Sequence, residues 1–523
     1  MMNLSLYLHT IRFLRFKQIF YQLLYRILKI RYKSVNAPHS VDRTVWIGFI
    51  PKPRYESDGN FSFLNITEKF NTWNDTRHGM LWAYNLNYMD WLCQESASRE
   101  TGEKWIDKFI ADLPSNRVGL DPYPIALRGI NWIKFISVHY DVIPDNKRRG
   151  WNDSLYSQYR MLSRKLEYHL GGNHLLEDAY SLFIASIYFA DRRLYKKASK
   201  LLIKELDEQI LPDGAHYEQS PMYHCILLDR LLDCYNISSN QSRFDDQSRM
   251  NDVLAKQAKR MLGHLESLNY ADWTIPLLND SAYGIAPSPK QLFDYAHRLG
   301  IHWDRISMKE CGYRKLSGNR MEAIVDVGNI TASYQPGHSH ADTFGYELRV
   351  LGQPLLIDTG ISTYDKNKRR QLERSTMAHN TVMVYDSDSS EVWSGFRVGR
   401  RARVSILEED PTRIVAEHNG FGCTCTHRRT FRIEPDVCEV TDSVTDKSAT
   451  VKNYLHFAPK IKILSYDRHR IVTDSAQIAI EGADRIEIID GKAASEYNRL
   501  SDITIAVLHF TSNMKYRIII EKA

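Results

Sequence analysis

Between about positions 80 and 310, apolar residues recur every three or four residues, as in Trp105, Phe109, Ile110 and Leu113, in Ile130, Trp132, Ile133 and Ile136, and in Leu227, Leu228, Leu231 and Leu232. That period is one face of an α-helix, so a succession of helices is predicted here. Turn-forming stretches punctuate them: Asp121-Pro122-Tyr123-Pro124, Gly171-Gly172-Asn173, Pro212-Asp213-Gly214 and Pro287-Ser288-Pro289. Short helices joined by polar loops fit a helical toroid or solenoid. After about residue 313 the pattern changes to alternation and β-branched runs at 322–327, 346–350, 381–385, 404–407, 413–417, 430–433, 478–480, 486–489, 503–508 and 516–521. Closely spaced strands with turn residues between them predict an antiparallel β-sandwich. The expected organisation is multidomain, α then β: a basic helical segment over 1–40, a toroid over 41–312 and a sandwich over 313–523. Pockets favour such junctions, so polar clusters near the boundary gain weight.

Composition narrows the function classes. A chain of 523 residues exceeds one ordinary core. Its 43% hydrophobic and 25% charged residues exclude a disordered protein. The formal charge is +6, but the first 35 residues hold seven bases (Arg12, Arg15, Lys17, Arg26, Lys29, Arg31, Lys33) and no acid. Taking those seven from the 69 Lys and Arg leaves 62 against 63 Asp and Glu, a neutral body that argues against a nucleic-acid partner. The opening segment, with Leu14, Ile19, Leu23, Leu24 and Leu28 among these bases, reads either as an amphipathic helix on an anionic membrane or as a helix packed on its own domain. It lacks the pattern of a cleavable signal peptide, and no apolar run approaches the roughly 20 residues of a membrane span. The expected location is therefore cytoplasmic or peripheral to the inner membrane rather than periplasmic. Seven scattered cysteines without a C-x-x-C pair argue against a disulfide framework or zinc ribbon and are expected to be mostly buried thiols.

Three constellations could carry chemistry. In Gly171-Gly172-Asn173-His174-Leu175-Leu176-Glu177 a glycine turn opens a helix, placing Asn173 where free N–H groups favour an anion, or simply as an N-cap. In Asp213-Gly214-Ala215-His216-Tyr217-Glu218-Gln219-Ser220-Pro221-Met222-Tyr223-His224 two tyrosines could donate or take a proton, unless the cluster is aromatic packing. The third joins Gly337-His338-Ser339-His340-Ala341-Asp342 to Asp358 and His379. In a strand His338 and His340 share a face, and Asp358 with His379 could complete a metal set, although hydrogen-bonded histidines explain most H-x-H pairs. Tyr123, Arg128, Asn131 and Trp132 combine an aromatic platform with a guanidinium, suited to sugar rings and acidic groups or to burial in a core. Asn279, Asp280 and Tyr283 are weaker candidates for the same cleft.

Together these motifs, with Leu356-Ile357-Asp358-Thr359-Gly360 and Arg374-Ser375-Thr376-Met377-Ala378-His379-Asn380, resemble the heparinase II/III-like polysaccharide lyases, relatives of several alginate lyases. The resemblance runs in order from about residue 40 to beyond 400. It implies an (α/α) toroid followed by an antiparallel sandwich, and β-elimination on a uronic-acid polysaccharide or oligosaccharide in which the C5 proton is removed and the C4 oxygen leaves. It assigns carboxylate neutralisation to Asn173, proton donation to Tyr223 and base or carboxylate contact to His338. His174, Arg128, Trp132, Tyr217, Glu218 and Arg374 are the substrate-binding candidates, with Tyr217 a rival acid. His340, Asp358 and His379 resemble the ligands of a structural zinc held by part of the family; no organic cofactor is implied. Some similar proteins serve capsule or exopolysaccharide metabolism. Rival readings are a glycoside hydrolase using Asp213 and Glu218, a metal-dependent hydrolase at His338, His340 and Asp358, and a glycan-binding or assembly protein that kept the fold. Oligomeric state is not legible.

Overall fold

The computed structural model describes residues 4–38, 41–422 and 424–520. The helices are α1 (Leu4–Ile11), α2 (Phe16–Ile27), α3 (Met80–Tyr88), α4 (Arg99–Asp112), α5 (Pro122–Val138), α6 (Asp145–Leu162), α7 (Gly172–Tyr188), α8 (Arg192–Gln209), α9 (Pro221–Ser239), α10 (Gln247–Leu268), α11 (Pro289–Arg298) and the short α12 (Lys368–Glu373). The basic N-terminal segment is thus two helices rather than one.

Helices α5, α7 and α9 pack in series, and α6, α8 and α10 each lie against the preceding one. The sequences explain which are inside. Residues 175–188 of α7 are all buried, as are 124–137 of α5, because both helices are apolar around most of their circumference. Helices α8 and α10 bury one face only, at Leu194, Ala198, Leu201 and Leu202 and at Leu254, Ala258, Met261 and Leu265. Ends are set by local chemistry. Pro221 occupies the first turn of α9, and the Ser220 side chain accepts the Tyr223 N–H at 3.2 Å.

The strands form two layers. An antiparallel eight-stranded sheet runs in the order 404–409, 413–418, 427–434, 437–444, 513–519, 477–481, 470–473 and 463–467. Facing it are two four-stranded sheets, 313–317, 321–326, 346–350 and 353–356, and 485–496, 499–510, 451–456 and 382–384. Val325, Leu348, Val382, Val440, Ile478 and Leu508 meet in their common core, which is separate from the helical core. Burial alternates along 427–434 and 437–444, as a sheet with one wet face requires. All described cysteines are free; Cys93 is half-buried and Cys225, Cys234, Cys311, Cys425 and Cys438 are buried, while Cys423 lies outside the described residues. Among the described residues no helix is long and apolar enough to cross a membrane.

Candidate active site

A cleft of about 800 Å³ opens between toroid and sandwich, lined by Asn173, His174 and Tyr223 from the helical half and by His338, Tyr364 and Phe396 from loops of the other. Asn173 is placed by two glycines with positive φ, Gly171 at 69° and Gly172 at 58°. It is the second residue of α7, so it is not the N-cap. Its backbone N–H donates to Glu218 Oε1 at 2.9 Å; its side-chain Nδ2 donates to Glu218 Oε2 at 2.9 Å and lies 3.3 Å from His338 Nε2. A Cβ on Gly172 would stand 2.1 Å from Glu218 Oε1. Gly172→Ala therefore strains the backbone and pushes Glu218 off Asn173 at once. We expect a loss of about 1–3 kcal/mol in urea denaturation together with a fall in turnover.

Tyr223 stands in the first turn of α9, its ring centroid 4.0 Å from that of His338, and its hydroxyl accepts from Tyr364 at 3.3 Å. Burial drives its pKa well above the ordinary phenol value, so it rests as a protonated donor. His338 lies in an irregular loop rather than a strand. Its Nδ1 is 2.8 Å from Asp280 Oδ2, and the other oxygen of Asp280 is 2.8 Å from His340 Nε2. Arg370 on α12 grips the same carboxylate, with Nη2 2.7 Å from Oδ2. Burial opposes the charge on Asp280, but Arg370 and the two imidazoles hold its carboxyl well below the usual range. An ionised Asp280 accepts from Nδ1–H of His338 and so fixes the ring, with Nε2 turned toward Asn173 Nδ2 and Glu218 Oε2 at 3.3 and 3.4 Å. Amide, phenol and imidazole thus share one site.

His174 faces the cleft, its Nδ1 3.1 Å from Glu167 Oε2 and its ring 4.7 Å from that of Tyr123. Burial disfavours its charge, yet the Glu167 carboxylate raises its pKa above the ordinary value. Five Lys and Arg side chains, among them Lys52, Arg54, Lys366 and Arg397, line the cleft against two acids, Asp90 and Asp365.

Several expected substrate contacts are internal. Arg128 is fully buried and donates to the Gly119 and Asn87 carbonyls at 2.7 and 3.0 Å and to Gln158. Trp132 is fully buried, with its indole N–H 3.2 Å from Met89 Sδ. Neither lines the cleft. Tyr217 pairs with the Tyr334 hydroxyl at 2.8 Å behind the wall, which removes it as rival acid. Glu218 does not line the cleft but anchors Asn173. Arg374 donates to the Ser339 carbonyl at 2.8 Å and braces the loop carrying His338 and His340. Asp213 accepts the backbone N–H groups of Lys309 and Cys311, so it cannot pair with Glu218 across a sugar. Asn279 is likewise a clamp, donating to Tyr313 and accepting from the His340 N–H.

In the expected zinc set each histidine keeps one open ring nitrogen. Asp358 is closed on His379 Nδ1 at 2.7 Å, and His340 Nε2 is engaged by Asp280. His340 Nδ1 and His379 Nε2 remain buried without partners. Among the described residues, the trio whose ligand atoms lie within 4.8 Å of one another is Asp213, His264 and Cys311, none of which lines the cleft. His338 and His340 are both held by Asp280, and Asp358 by His379, so the side chains of the metal-dependent hydrolase reading each have a protein partner.

Sequence reasoning missed Arg370, Tyr364 and Glu167. The one available signal was the spacing of Arg370 and Arg374, four residues apart across the end of α12.

A helical toroid capped by an antiparallel sandwich, with the cleft at their junction, is the architecture of solved heparinases. The fold matches a heparinase III at TM-score 0.63 with 14% identity, covering 86% of this chain and 80% of that one. It matches the heparan sulfate lyase of Pedobacter heparinus at TM-score 0.58 with 15% identity, covering 97% and 88%. The chain belongs to the heparinase II/III-like family: residues 150–297 match the heparinase II/III N-terminus and residues 301–520 the heparinase II/III-like C-terminal domain. Its curated relatives include the heparin-sulfate lyase of Pedobacter heparinus, 22% identical over 41% of this chain, and that of Bacteroides stercoris, 19% identical over 57%. The matches span 36% and 47% of those relatives.

Proposed function

We propose that the protein is a polysaccharide lyase that cleaves a uronic-acid-containing glycan by β-elimination. The observation that carries this reading is the meeting of Asn173, Tyr223 and His338 in one cation-rich cleft. The C5 proton of a uronate is hard to remove while the neighbouring carboxylate keeps its full charge. The Asn173 amide and the His174 imidazolium supply donors to that carboxylate and stabilise the charge that develops on it. His338 Nε2, with the ring fixed by Asp280, takes the C5 proton, and the C5–H electrons become the C4=C5 double bond as the C4–O bond breaks. The Tyr223 hydroxyl protonates the departing oxygen. Exchange with water returns His338 and Tyr223 to their starting forms. The excess of cationic side chains along the wall suits an acidic polymer on both sides of the cut.

The test is incubation with heparan sulfate, alginate, hyaluronan, chondroitin and capsular uronates. An ultraviolet-absorbing unsaturated end is expected from at least one; a saturated reducing end would show hydrolysis instead. A pH effect follows from His174. Its raised pKa means the imidazolium contact is present in full below that value and is lost as pH rises through it. KM is expected to climb as pH rises through that value, and His174→Gln should flatten the climb while raising KM at lower pH.

A further inference from the structure

The N-terminal helices present two different faces. The inner face closes one rim of the cleft and touches both halves of the molecule. On α1, His9 Nδ1 lies 2.9 Å from Glu391 Oε2, and Thr10 Oγ1 accepts the Trp393 indole N–H at 3.1 Å. On α2, the Gln18 amide donates to the Leu170 and Tyr334 carbonyls at 3.2 and 3.3 Å, and the Tyr25 hydroxyl to the Leu166 carbonyl at 2.8 Å. Ile11, Leu14, Gln18 and Gln22 reach into the cleft lining itself.

The outer face is apolar and uncovered. Phe16, Phe20, Leu23 and Ile27 follow a helical stripe and are 81%, 47%, 54% and 77% exposed; Leu8 on α1 is 60% exposed. Large apolar side chains left together in water mark an interaction surface. Arg12 between the two helices, Arg26 in the last turn of α2, and Lys29, Arg31 and Lys33 just beyond it are exposed, and no carboxylate pairs with any of them among the described residues. The first 35 residues contain no acid to neutralise them. We propose that α1 and α2 dock on the surface of an anionic lipid bilayer, which seats the cleft mouth beside the membrane. Apolar side chains enter the acyl boundary while the bases meet lipid phosphates, the division of labour of an interfacial helix. No described helix is long and apolar enough to pass through, so the contact lies along the surface. A second copy suits the face poorly, because a twofold contact would bring like charges together.

The test uses the full chain sedimented with vesicles of phosphatidylcholine alone or with about 30 mol% phosphatidylglycerol. Binding to the anionic vesicles is expected to exceed binding to the neutral ones by about tenfold and to fall in high salt. Phe16→Ser/Phe20→Ser/Ile27→Ser and, separately, Arg26→Gln/Lys29→Gln/Arg31→Gln/Lys33→Gln should each lose about tenfold of this binding with the thermal midpoint unchanged. Equal binding to both vesicle types, or none to either, overturns the proposal. So does a concentration-dependent dimer in light scattering that the serine variant abolishes without any vesicle binding, since that outcome assigns the face to a second copy. None of these readouts depends on the chemistry of the cleft.

Discussion

Tyr223→Phe should leave KM and the thermal midpoint in place while kcat falls by about 10²–10⁴-fold, the usual contribution of a positioned proton donor. The substitution removes one oxygen. The ring keeps its contact with His338, and the first-turn bond between Ser220 and the Tyr223 N–H is untouched. What disappears is the proton meant for the C4 oxygen, and no neighbour replaces it. Tyr364 sits one hydrogen bond further back, and burial keeps its phenol well above the ordinary value. Turnover is followed as unsaturated product by ultraviolet absorbance. Elimination at a tenth of the wild-type rate or more would remove Tyr223 from the role of acid.

The second large effect is expected at Asp280, which touches no substrate and acts through His338. In Asp280→Asn the neutral amide offers one acceptor where two imidazoles and Arg370 now converge on an anion. An Nδ2 facing His338 would donate to Nδ1 and force the ring proton onto Nε2, the atom that must take the substrate proton. Loss of an orienting carboxylate of this kind costs kcat on the order of 10³–10⁴-fold. Arg370, buried and deprived of its counter-charge, adds about 3–5 kcal/mol of destabilisation. The pH dependence separates the two effects. The folded-state pKa of Asp280 is depressed, so its stabilisation is present above the unfolded carboxyl value and lost as pH falls through the folded one. Wild type should therefore shed this stability only in strong acid, and the variant should show less acid sensitivity in urea titrations. A variant with unchanged KM, lowered kcat and a shifted pH–rate profile fits positioning; stability loss with an unchanged kcat would leave Asp280 a purely structural residue.

The order of helices before strands was legible because periods of 3.6 and 2 persist for long stretches. Strands 346–350 and 413–418 stand where alternation placed them, to within a residue. Strands 313–317, 353–356, 463–467 and 470–473 escaped because four or five residues carry too little pattern, and 437–444 and 451–456 because the buried polar Asp442, Asn453 and His456 interrupt the apolar alternation. At the site, Asn173 and Tyr223 were readable since each sits on a helix start whose glycine, serine or proline announces it. Arg128 and Trp132 were misread for a physical reason: the carbonyls, Gln158 and Met89 that satisfy them come from other parts of the chain, and no local pattern tells a buried guanidinium from one facing a cleft. The pairing of Asp280 with Arg370 spans 90 residues and carries no local signature. The metal set meets a related limit. Spacing brings His340, Asp358 and His379 into one neighbourhood, but it does not show that Asp358 is already occupied by His379.

The helical and strand cores are distinct, yet the amide and phenol come from one and the imidazole from the other. Neither half is a portable module, then. Exchanging either with that of a distant homologue would misplace the reacting groups even where both parts fold, so inheritance of the activity should follow the joined pair rather than its components.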